Sequence, residues 1–414
     1  MKVVIMAGGK GTRIASVNSD VPKPMIPIDG KPILEYQINA LAAQGYCEII
    51  LIIGHLGHVI RDYFEDGSKW NVQISYIEEN TPLGTAGALF YLKEQIKDDF
   101  LLLNGDIIFD VDIRRFLAYH KAQGTMATIL THPNSHPYDS GIIVADNDGR
   151  ATNWLHKEDP RLWYRNRVNA GLHMLSPRIF TLFPDLQKKD LDRDILKPLI
   201  IQRELSVYDS PEYIKDMGTP DRYYSVIEDI HSGKVAAKNL ARKQKAIFLD
   251  RDGTINKYVG FLTNIDEFEL LDGVAEAIRQ INESGYLAIV ASNQPVIARG
   301  EVSPEELQEI HNKMETLLGQ KGAYLDAIFY CPHHPHKGYE GERPEYKIEC
   351  ECRKPKPGML LAAAEKYNID LTQSWMVGDS DNDIEAGQAA GCRVIKVNTN
   401  SSELSSAVKM ILNQ

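Results

Sequence analysis

Long hydrophobic runs are missing from this chain. Nowhere in its 414 residues does an apolar stretch approach the ~18–20 residues that a membrane helix needs, which argues against insertion into a bilayer. The N-terminal apolar stretch stops at Gly8-Gly9 after about five residues, too few for the apolar centre of a secretory leader. Excess positive charge is missing too. Lys and Arg number 46 against 57 Asp and Glu, a net charge of −11. That argues against general binding of nucleic acid or of anionic membranes, while leaving room for local basic pockets. Cysteine is scarce, five in all. Cys47 and Cys392 are isolated, and Cys331, Cys350 and Cys352 cluster. This usage fits a cytoplasmic, reducing compartment rather than a disulfide framework.

What is present is the composition of a soluble globular protein, 25% charged and 43% hydrophobic. The length exceeds one ordinary domain, and composition leaves monomer and oligomer equally open. Short apolar runs of strand length occur at Lys2–Met6, Glu48–Ile53 and Phe100–Leu103. Pro32–Ala43 and the stretch after Gly84 read as helices. The alternation predicts a mostly parallel sheet with helices on its faces. Thr219-Pro220-Asp221 has the form of an N-cap with proline at the first helical position, opening a helix to about His231. The polar, basic stretch from His231 to Lys245 reads as a solvated connecting helix. The α/β pattern then restarts, with strands expected at Ala246–Leu249, Leu287–Ala291, Ala327–Tyr330, Trp375–Val377 and Arg393–Val397, and a capped helix opening at Ser303. The expectation is an α/β protein of two doubly wound domains, residues 1–230 and 245–414, joined by a linker at 231–244.

At the N-terminus, Ala7-Gly8-Gly9-Lys10-Gly11-Thr12-Arg13 follows a strand. Glycines leave backbone N–H groups free to approach a phosphate, and Arg13 adds a fixed cationic fork. Ile14 stands where a dinucleotide fingerprint needs a third glycine, and no Gly-Lys-Ser/Thr follows, so neither common phosphate motif is met. Pro22-Lys23-Pro24-Met25 presents a lysine from a stiff segment. Leu83–Gly87 is a second small-residue turn on which a flat base could lie. Asp106 and Asp216 each end a strand-like run, an arrangement suited to Mg²⁺ holding a triphosphate.

Together with Asn104-Gly-Asp106 and Asn169-Ala-Gly171, these segments resemble sugar-1-phosphate nucleotidyltransferases over about residues 1–230. The resemblance implies attack of a sugar 1-phosphate on the α-phosphorus of an NTP, with release of pyrophosphate. It implies that Ala7, Gly8, Gly9, Gly11, Thr12 and Arg13 hold the nucleotide, with Gly84, Thr85 and Ala86 on the base and ribose. Arg13 and Lys23 would contact phosphates, Asp106 and Asp216 would hold Mg²⁺, and Gly141, Lys157 and Asn169 would face the sugar phosphate. Catalysis would be mainly alignment and charge neutralisation. The family often has Glu-Lys where this chain has His156-Lys157, so one sugar-hydroxyl ligand is missing unless Glu158 replaces it. Val21-Pro-Lys-Pro-Met25 and Gly30-Lys-Pro-Ile-Leu-Glu-Tyr36 resemble the guanylyl- and heptose-type branch, which implies GTP.

In the second half, Asp250 and Asp252 leave a strand two residues apart and can share one crevice. Asp379 and Asp383 arrive from Gly378-Asp-Ser-Asp-Asn-Asp383. Two carboxylates ~4 Å apart repel by roughly 4 kcal/mol at an effective dielectric near 20, so this cluster calls for a divalent cation. Ser292, Asn293 and Lys354 offer phosphate donors. The pattern resembles the haloacid dehalogenase superfamily of phosphatases. By that resemblance Asp250 is the nucleophile, Asp252 the acid and then the base, and Ser292 and Lys354 hold the phosphoryl group. Mg²⁺ would sit on Asp250, the Asp252 carbonyl and Asp379, with Asp383 in support.

Cys331-Pro-His333 and Cys350-Glu-Cys352 supply four N/S ligands, enough for tetrahedral, structural Zn²⁺. A disulfide is the competing reading, disfavoured by the compartment; His334 and His336 are alternative ligands. Arg353 and Lys354 follow directly, so ordering this loop would place both at the phosphate. The arrangement resembles D-glycero-D-manno-heptose 1,7-bisphosphate phosphatases and, more distantly, histidinol-phosphate phosphatases. It departs from them at Ser292-Asn-Gln-Pro-Val296 and at Ser380. The resemblances imply a bifunctional enzyme: a phosphatase product, heptose 1-phosphate, consumed by the transferase to give GDP-heptose, with the α-anomer favoured. Mannose 1-phosphate and histidinol phosphate are the alternative substrates. A regulatory, sugar-nucleotide-binding role for one domain is the non-enzymatic alternative, opposed by the two complete residue sets.

Overall fold

The computed structural model describes residues 1–9 and 21–414; the expectations for Gly11, Thr12 and Arg13 fall outside the described residues. The chain divides into two compact units. One comprises Met1–His132, Ile143–Trp154 and Asn169–Ala236; the other comprises Pro133–Ile142, Leu155–Val168 and Ala237–Gln414.

In the first unit, β1 (Val3–Met6), β2 (Glu48–Ile53), β3 (Gln73–Glu78) and β4 (Phe100–Asn104) form a parallel core in the order β4-β1-β2-β3. β1 and β4 are almost continuously apolar because both faces are covered, whereas β3, at the end of the order, is mixed. Val3 and Ile5 enter one apolar cluster, and Val4 enters another on the opposite face. The strand order reverses direction at β1/β4, and the Met6↔Asn104 pairing brings the loops after both strands together. An α/β sheet opens a crevice for ligands at such a point. A further strand, β5 (Val168–Leu175), adds antiparallel to β4.

The helix expected after Gly84 is instead a 3₁₀ turn, Gly87–Leu92. The Lys189 carbonyl takes the Ala86 N–H at 3.0 Å, and Gln187 O crowds Gly87 so closely that a Cβ there would lie 2.4 Å away. The solvated helix expected from His231 to Lys245 is also revised. Only Lys234–Ala237 is helical, and Lys238, Asn239 and Leu240 are buried. Leu240 joins an apolar cluster of the second unit, and Lys238 Nζ lies 3.4 Å from Asp326. Thr219 caps its helix as expected, accepting from Arg222 N, and the helix runs Pro220–His231.

The second unit holds a five-stranded parallel sheet. Its strands are β6 (Lys245–Leu249), β7 (Tyr286–Asn293), β8 (Ala327–Cys331), β9 (Trp375–Gly378) and β10 (Arg393–Lys396), in the order β8-β7-β6-β9-β10. Alternate β6 residues again feed two clusters, Ile247 and Leu249 on one face and Ala246 and Phe248 on the other. The order reverses direction at β6/β9, so the residues after Leu249 and Val377 emerge side by side. Helix Pro304–Gln320 opens with the expected capping box, Ser303 with Glu306.

One core residue makes the first unit sensitive to pH. His173 on β5 is buried, and burial pushes its ring down to about 4, opposed only in part by the Leu102 backbone. The folded pKa lies below the unfolded ~6.5, so below pH ~6.5 the unfolded chain binds the extra proton. Stability is therefore full above that value and is lost as pH falls toward 4, by on the order of 3 kcal/mol. Denaturant melts of the first-unit transition between pH 7 and 4.5 should show this loss. His173→Gln should flatten the slope, and an unchanged slope would show that His173 is not its source.

Candidate functional site

A cavity of about 840 Å³ opens at the β1/β4 edge, lined among others by Gly8, Gly9, Lys23, Gly84, Thr85 and Asp106. Lys23 begins a single 3₁₀ turn, Lys23–Met25, flanked by Pro22 and Pro24, and its ammonium pairs with Asp106. Asp216 stands beside Asp106 because its strand, Tyr213–Asp216, pairs antiparallel with Ile107–Asp110 and Met217 N donates to Asp106 O at 2.9 Å. Burial works against the charge of Asp216. Arg222, which donates to both its oxygens at 2.9 and 2.8 Å, outweighs burial with help from Gly218 N and Lys23, and holds its carboxyl below the usual range. Two adjacent carboxylates and two cations therefore face this edge. Arg222 escapes a reading of motifs because its only sequence mark is a place in the first turn after Thr219.

The base-side turn is fixed by a second segment. Gly84 has φ +80°, and a Cβ there would lie 2.4 Å from Lys189 O, so glycine is required on both counts. Thr85 Oγ1 donates to Asp190 and accepts from Leu191 N. Ala7 is buried, and its N–H extends the ladder to Ile52 O. Asn169 accepts from Gly171 N at 3.0 Å and reaches Asp192 at 3.4 Å. Burial, then the charge of Asp190, pushes Asp192 up to about 7. Gly141 and Lys157 lie in the two segments that fold with the second unit, and Lys157 is exposed. The backbone of His156 is tied to Asp159. Glu79, His55, Asn80 and Lys188 also line the cavity and were not singled out by motif.

In the second unit the strand ends bring Asp250, Asp379 and Asp383 together, with carboxylate oxygens within 4.8 Å of one another. Lys354 is buried among them. Its ammonium donates to Asp250 Oδ1 and Ala291 O at 2.7 Å each, and to Asp383. Burial pushes Asp250 up to about 7, against the pull of Lys354 and with the charge of Asp383 adding to the rise. Three carboxylates facing one ammonium leave net negative charge, and this group could hold a cation. Gly253, at φ +89°, lets the chain turn beneath Asp379: a Cβ would meet Asp379 Oδ2 at 2.4 Å.

Asp252 points differently. The buried Arg251 forks onto both its oxygens at 2.8 Å, and Asn256 and Gln294 also donate to it. Burial opposes its charge, but these partners hold the carboxyl below its ordinary range. Gln294 also donates to Ser292 Oγ at 2.8 Å, linking the acid to the hydroxyl. Asn293 exchanges two hydrogen bonds with the Lys354 backbone, 3.0 Å each, and so positions that residue. Arg353 donates to His333 O at 3.2 Å. Arg251 and Gln294 lie inside motifs already quoted, yet their roles depend on side-chain direction.

Cys331, His333, Cys350 and Cys352 form the second group that could hold a metal ion among the described residues. The contacts within the quartet are non-covalent and the five cysteines are free, so the disulfide reading is not met. Sulfur–sulfur distances run from 3.2 to 3.5 Å, and His333 Nδ1 lies 3.3 Å from Cys352 Sγ. A tetrahedral ion with bonds of about 2.3 Å to sulfur requires edges of about 3.8 Å, so small outward shifts would fit one. Hydrogen bonding between the two lowers Cys352 to about 5 and raises Cys331, so one of this pair is poised as the thiolate a metal needs.

Residues 2–233 match the family model described as Nucleotidyl transferase, and residues 351–411 match one described as HAD-hydrolase-like. Among curated proteins the chain is similar to D-glycero-beta-D-manno-heptose-1,7-bisphosphate 7-phosphatase of Pasteurella multocida, 47% identical over 147 residues, 36% of this chain and 77% of that protein. The Escherichia coli K12 protein of the same name is 43% identical over 151 residues, 36% of this chain and 77% of that protein. Among solved structures, HddC from Yersinia pseudotuberculosis complexed with GMP-PN is 29% identical, covering 55% of this chain and 99% of its own at a TM-score of 0.48.

Proposed function

The chain belongs to the nucleotidyl transferase family through residues 2–233 and to the HAD-like phosphatases through its second half, and from that premise we propose how the two activities are joined. The second unit removes the 7-phosphate of a D-glycero-D-manno-heptose 1,7-bisphosphate. The first then couples the heptose 1-phosphate to GMP from GTP, giving GDP-heptose and pyrophosphate. The observation that carries the phosphatase half is the meeting of Asp250, Lys354, Asp379 and Asp383 at adjacent strand ends. The glycine-lined cavity with Lys23 and Asp106 supports the transferase half.

In the phosphatase, an Asp250 oxygen attacks phosphorus and the C7–O side leaves, taking a proton from Asp252. Water then attacks the aspartyl-phosphate, giving its proton to Asp252 and releasing phosphate. Lys354, Ser292 and Asn293 hold or position the phosphoryl group. Asp250, Asp379 and Asp383, with the Asp252 carbonyl, would hold Mg²⁺, which neutralises phosphoryl charge when bound. In the transferase, Lys23 and Arg13 neutralise the phosphates of already nucleophilic substrates, and Asp106 and Asp216 would hold Mg²⁺. The Cys331/His333/Cys350/Cys352 quartet would hold Zn²⁺, and a full ligand set makes it structural. No helix among the described residues is long and apolar enough to cross a membrane.

One chain serving both steps requires that both sites accept the same anomer. The guanylyl-type resemblance favours the α-anomer. The names of the phosphatase relatives favour a second reading with the β-anomer. Supplying each heptose 1,7-bisphosphate anomer separately, and measuring phosphate release, separates the two. Faster turnover of the β-anomer would overturn the α assignment while leaving the two activities intact.

A further inference from the structure

Helix Pro304–Gln320 is buried on two faces. Ile310, Met314 and Leu318 form an ordinary apolar stripe and enter a large cluster of the second unit. Glu315, Thr316 and Gly319 lie on a neighbouring face and are buried as well. Glu315 takes no part in the Asp250 group. Its face is covered by the segments Pro133–Ile142 and Leu155–Val168, which belong to the same unit and carry Gly141 and Lys157. Thr316 Oγ1 accepts from Tyr164 N at 2.9 Å. Pro137 packs on Gly319, where a Cβ would lie 2.7 Å from its Cγ. Glu315, 1% exposed, accepts from Arg167 at 3.1 Å. Arg167, 2% exposed, also donates to the carbonyl of Asp326, just before β8, at 3.0 Å. The two segments are tied to each other too. The Asn166 amide donates to Asn134 O at 2.7 Å and accepts from Asn134 N at 3.1 Å. Arg161 donates to Ser140 O at 2.8 Å, and Val168 pairs with Ile142. They form one body, anchored on the helix.

We infer that Glu315 is a positioning residue of the transferase: through Arg167 it holds the body that presents Gly141 and Lys157 to the sugar phosphate. This rests on the sugar-phosphate role that the family resemblance gives those two residues. For stability alone an ion pair is a poor filling for this space. Taking two charges out of water costs about what their attraction returns, and apolar side chains would serve as well. What the pair adds is direction. The guanidinium is a planar fork whose donors point at fixed angles, so Glu315 and the Asp326 carbonyl together fix where Arg167 sits. Arg167 stands two residues before Asn169, and Val168 between them pairs with Ile142, the neighbour of Gly141. The sugar phosphate is the nucleophile of transfer, so its alignment governs the reaction, and a small displacement of a distant support is felt there. Glu315 belongs to the half of the chain that carries the phosphatase. That half therefore supplies a support for residues of the transferase, which gives the fusion a structural reason beyond a shared intermediate.

Steady-state transfer from heptose 1-phosphate by the full chain, with GTP and Mg²⁺ saturating, tests the inference. Glu315→Gln keeps the shape and removes the charge that faces Arg167. It is expected to raise KM for heptose 1-phosphate by about tenfold. GTP affinity, by calorimetry, and phosphatase kcat/KM should stay within about twofold. A merely structural role would move all three together. Lys157→Ala should raise the same KM by at least about tenfold. Because Glu315 acts through the placement of Lys157, the double variant should fall well short of the product of the two single effects. If Glu315→Gln fails to fold, judged by thermal melting, Glu315→Asp decides the matter. It keeps the charge, draws it back by one methylene, and should raise KM by about threefold. An unchanged KM in a folded Glu315→Gln, or in Glu315→Asp where glutamine unfolds the chain, would overturn the inference. So would full multiplication in the double variant, or an equal loss of phosphatase turnover. Each of these leaves the sugar-phosphate reading standing. Absence of wild-type transfer, or an unchanged KM in Lys157→Ala, would instead overturn that reading and the inference with it.

Discussion

Asp250→Asn is expected to cut phosphate release from the heptose bisphosphate by at least about 10⁴-fold, while transfer from heptose 1-phosphate stays within about twofold. Asparagine keeps the shape and can still accept from the Lys354 ammonium, which retains Asp383 as its second carboxylate partner. The fold should therefore survive, and what disappears is the nucleophile. Transfer should persist because Gly8, Gly9, Lys23, Gly84, Thr85 and Asp106, all assigned to it, line a cavity in the first unit. Phosphate and pyrophosphate measured in parallel, with a thermal melt as control, distinguish the outcomes. Loss of both activities in a folded variant would contradict independent sites.

The second large effect concerns the metal quartet. Removal of Zn²⁺ by a chelator, or Cys350→Ser, is expected to disorder the loop between Cys331 and Cys352 and to lower phosphatase kcat/KM by at least about 100-fold. Structural zinc contributes on the order of 10 kcal/mol to folding a small loop, far more than the hydrogen bonds of this segment could replace. The loop ends directly at Arg353 and Lys354. Arg353 is tied to the His333 carbonyl, so loss of His333 and its neighbours releases the segment that carries the Asp250 partner. Metal analysis should find one zinc per chain, and protease cleavage after chelation should begin within residues 332–349. Full phosphatase activity in zinc-free protein would show that the quartet does not order the site.

Much of this was legible because the informative residues are close in sequence. Asp250 and Asp252 are two residues apart, Asp379 and Asp383 four apart, and Cys331-Pro-His333 and Cys350-Glu-Cys352 each span a tripeptide. The strands were legible because burial on both faces makes β1 and β6 continuously apolar. Pairings made only by the fold were not legible. Lys354 meets Asp250 across 104 residues, and Glu79 reaches Gly8 only because β3 ends at the same sheet edge as β1. Arg222 looks like an ordinary first-turn residue until Tyr213–Asp216 brings Asp216 against it. The linker misled for a related reason: its lysines suggest water, but Leu240 enters an apolar cluster and carries Lys238 inward to Asp326. Charge counts exposure poorly when one apolar neighbour fixes the path of the chain.

The central claim is that one chain performs two consecutive steps. A single incubation of the purified chain with a heptose 1,7-bisphosphate, GTP and Mg²⁺ tests it most directly. The account predicts GDP-heptose, phosphate and pyrophosphate in a 1:1:1 ratio, with phosphate appearing first. Phosphate release without pyrophosphate, on the same anomer and with GTP in excess, would contradict it.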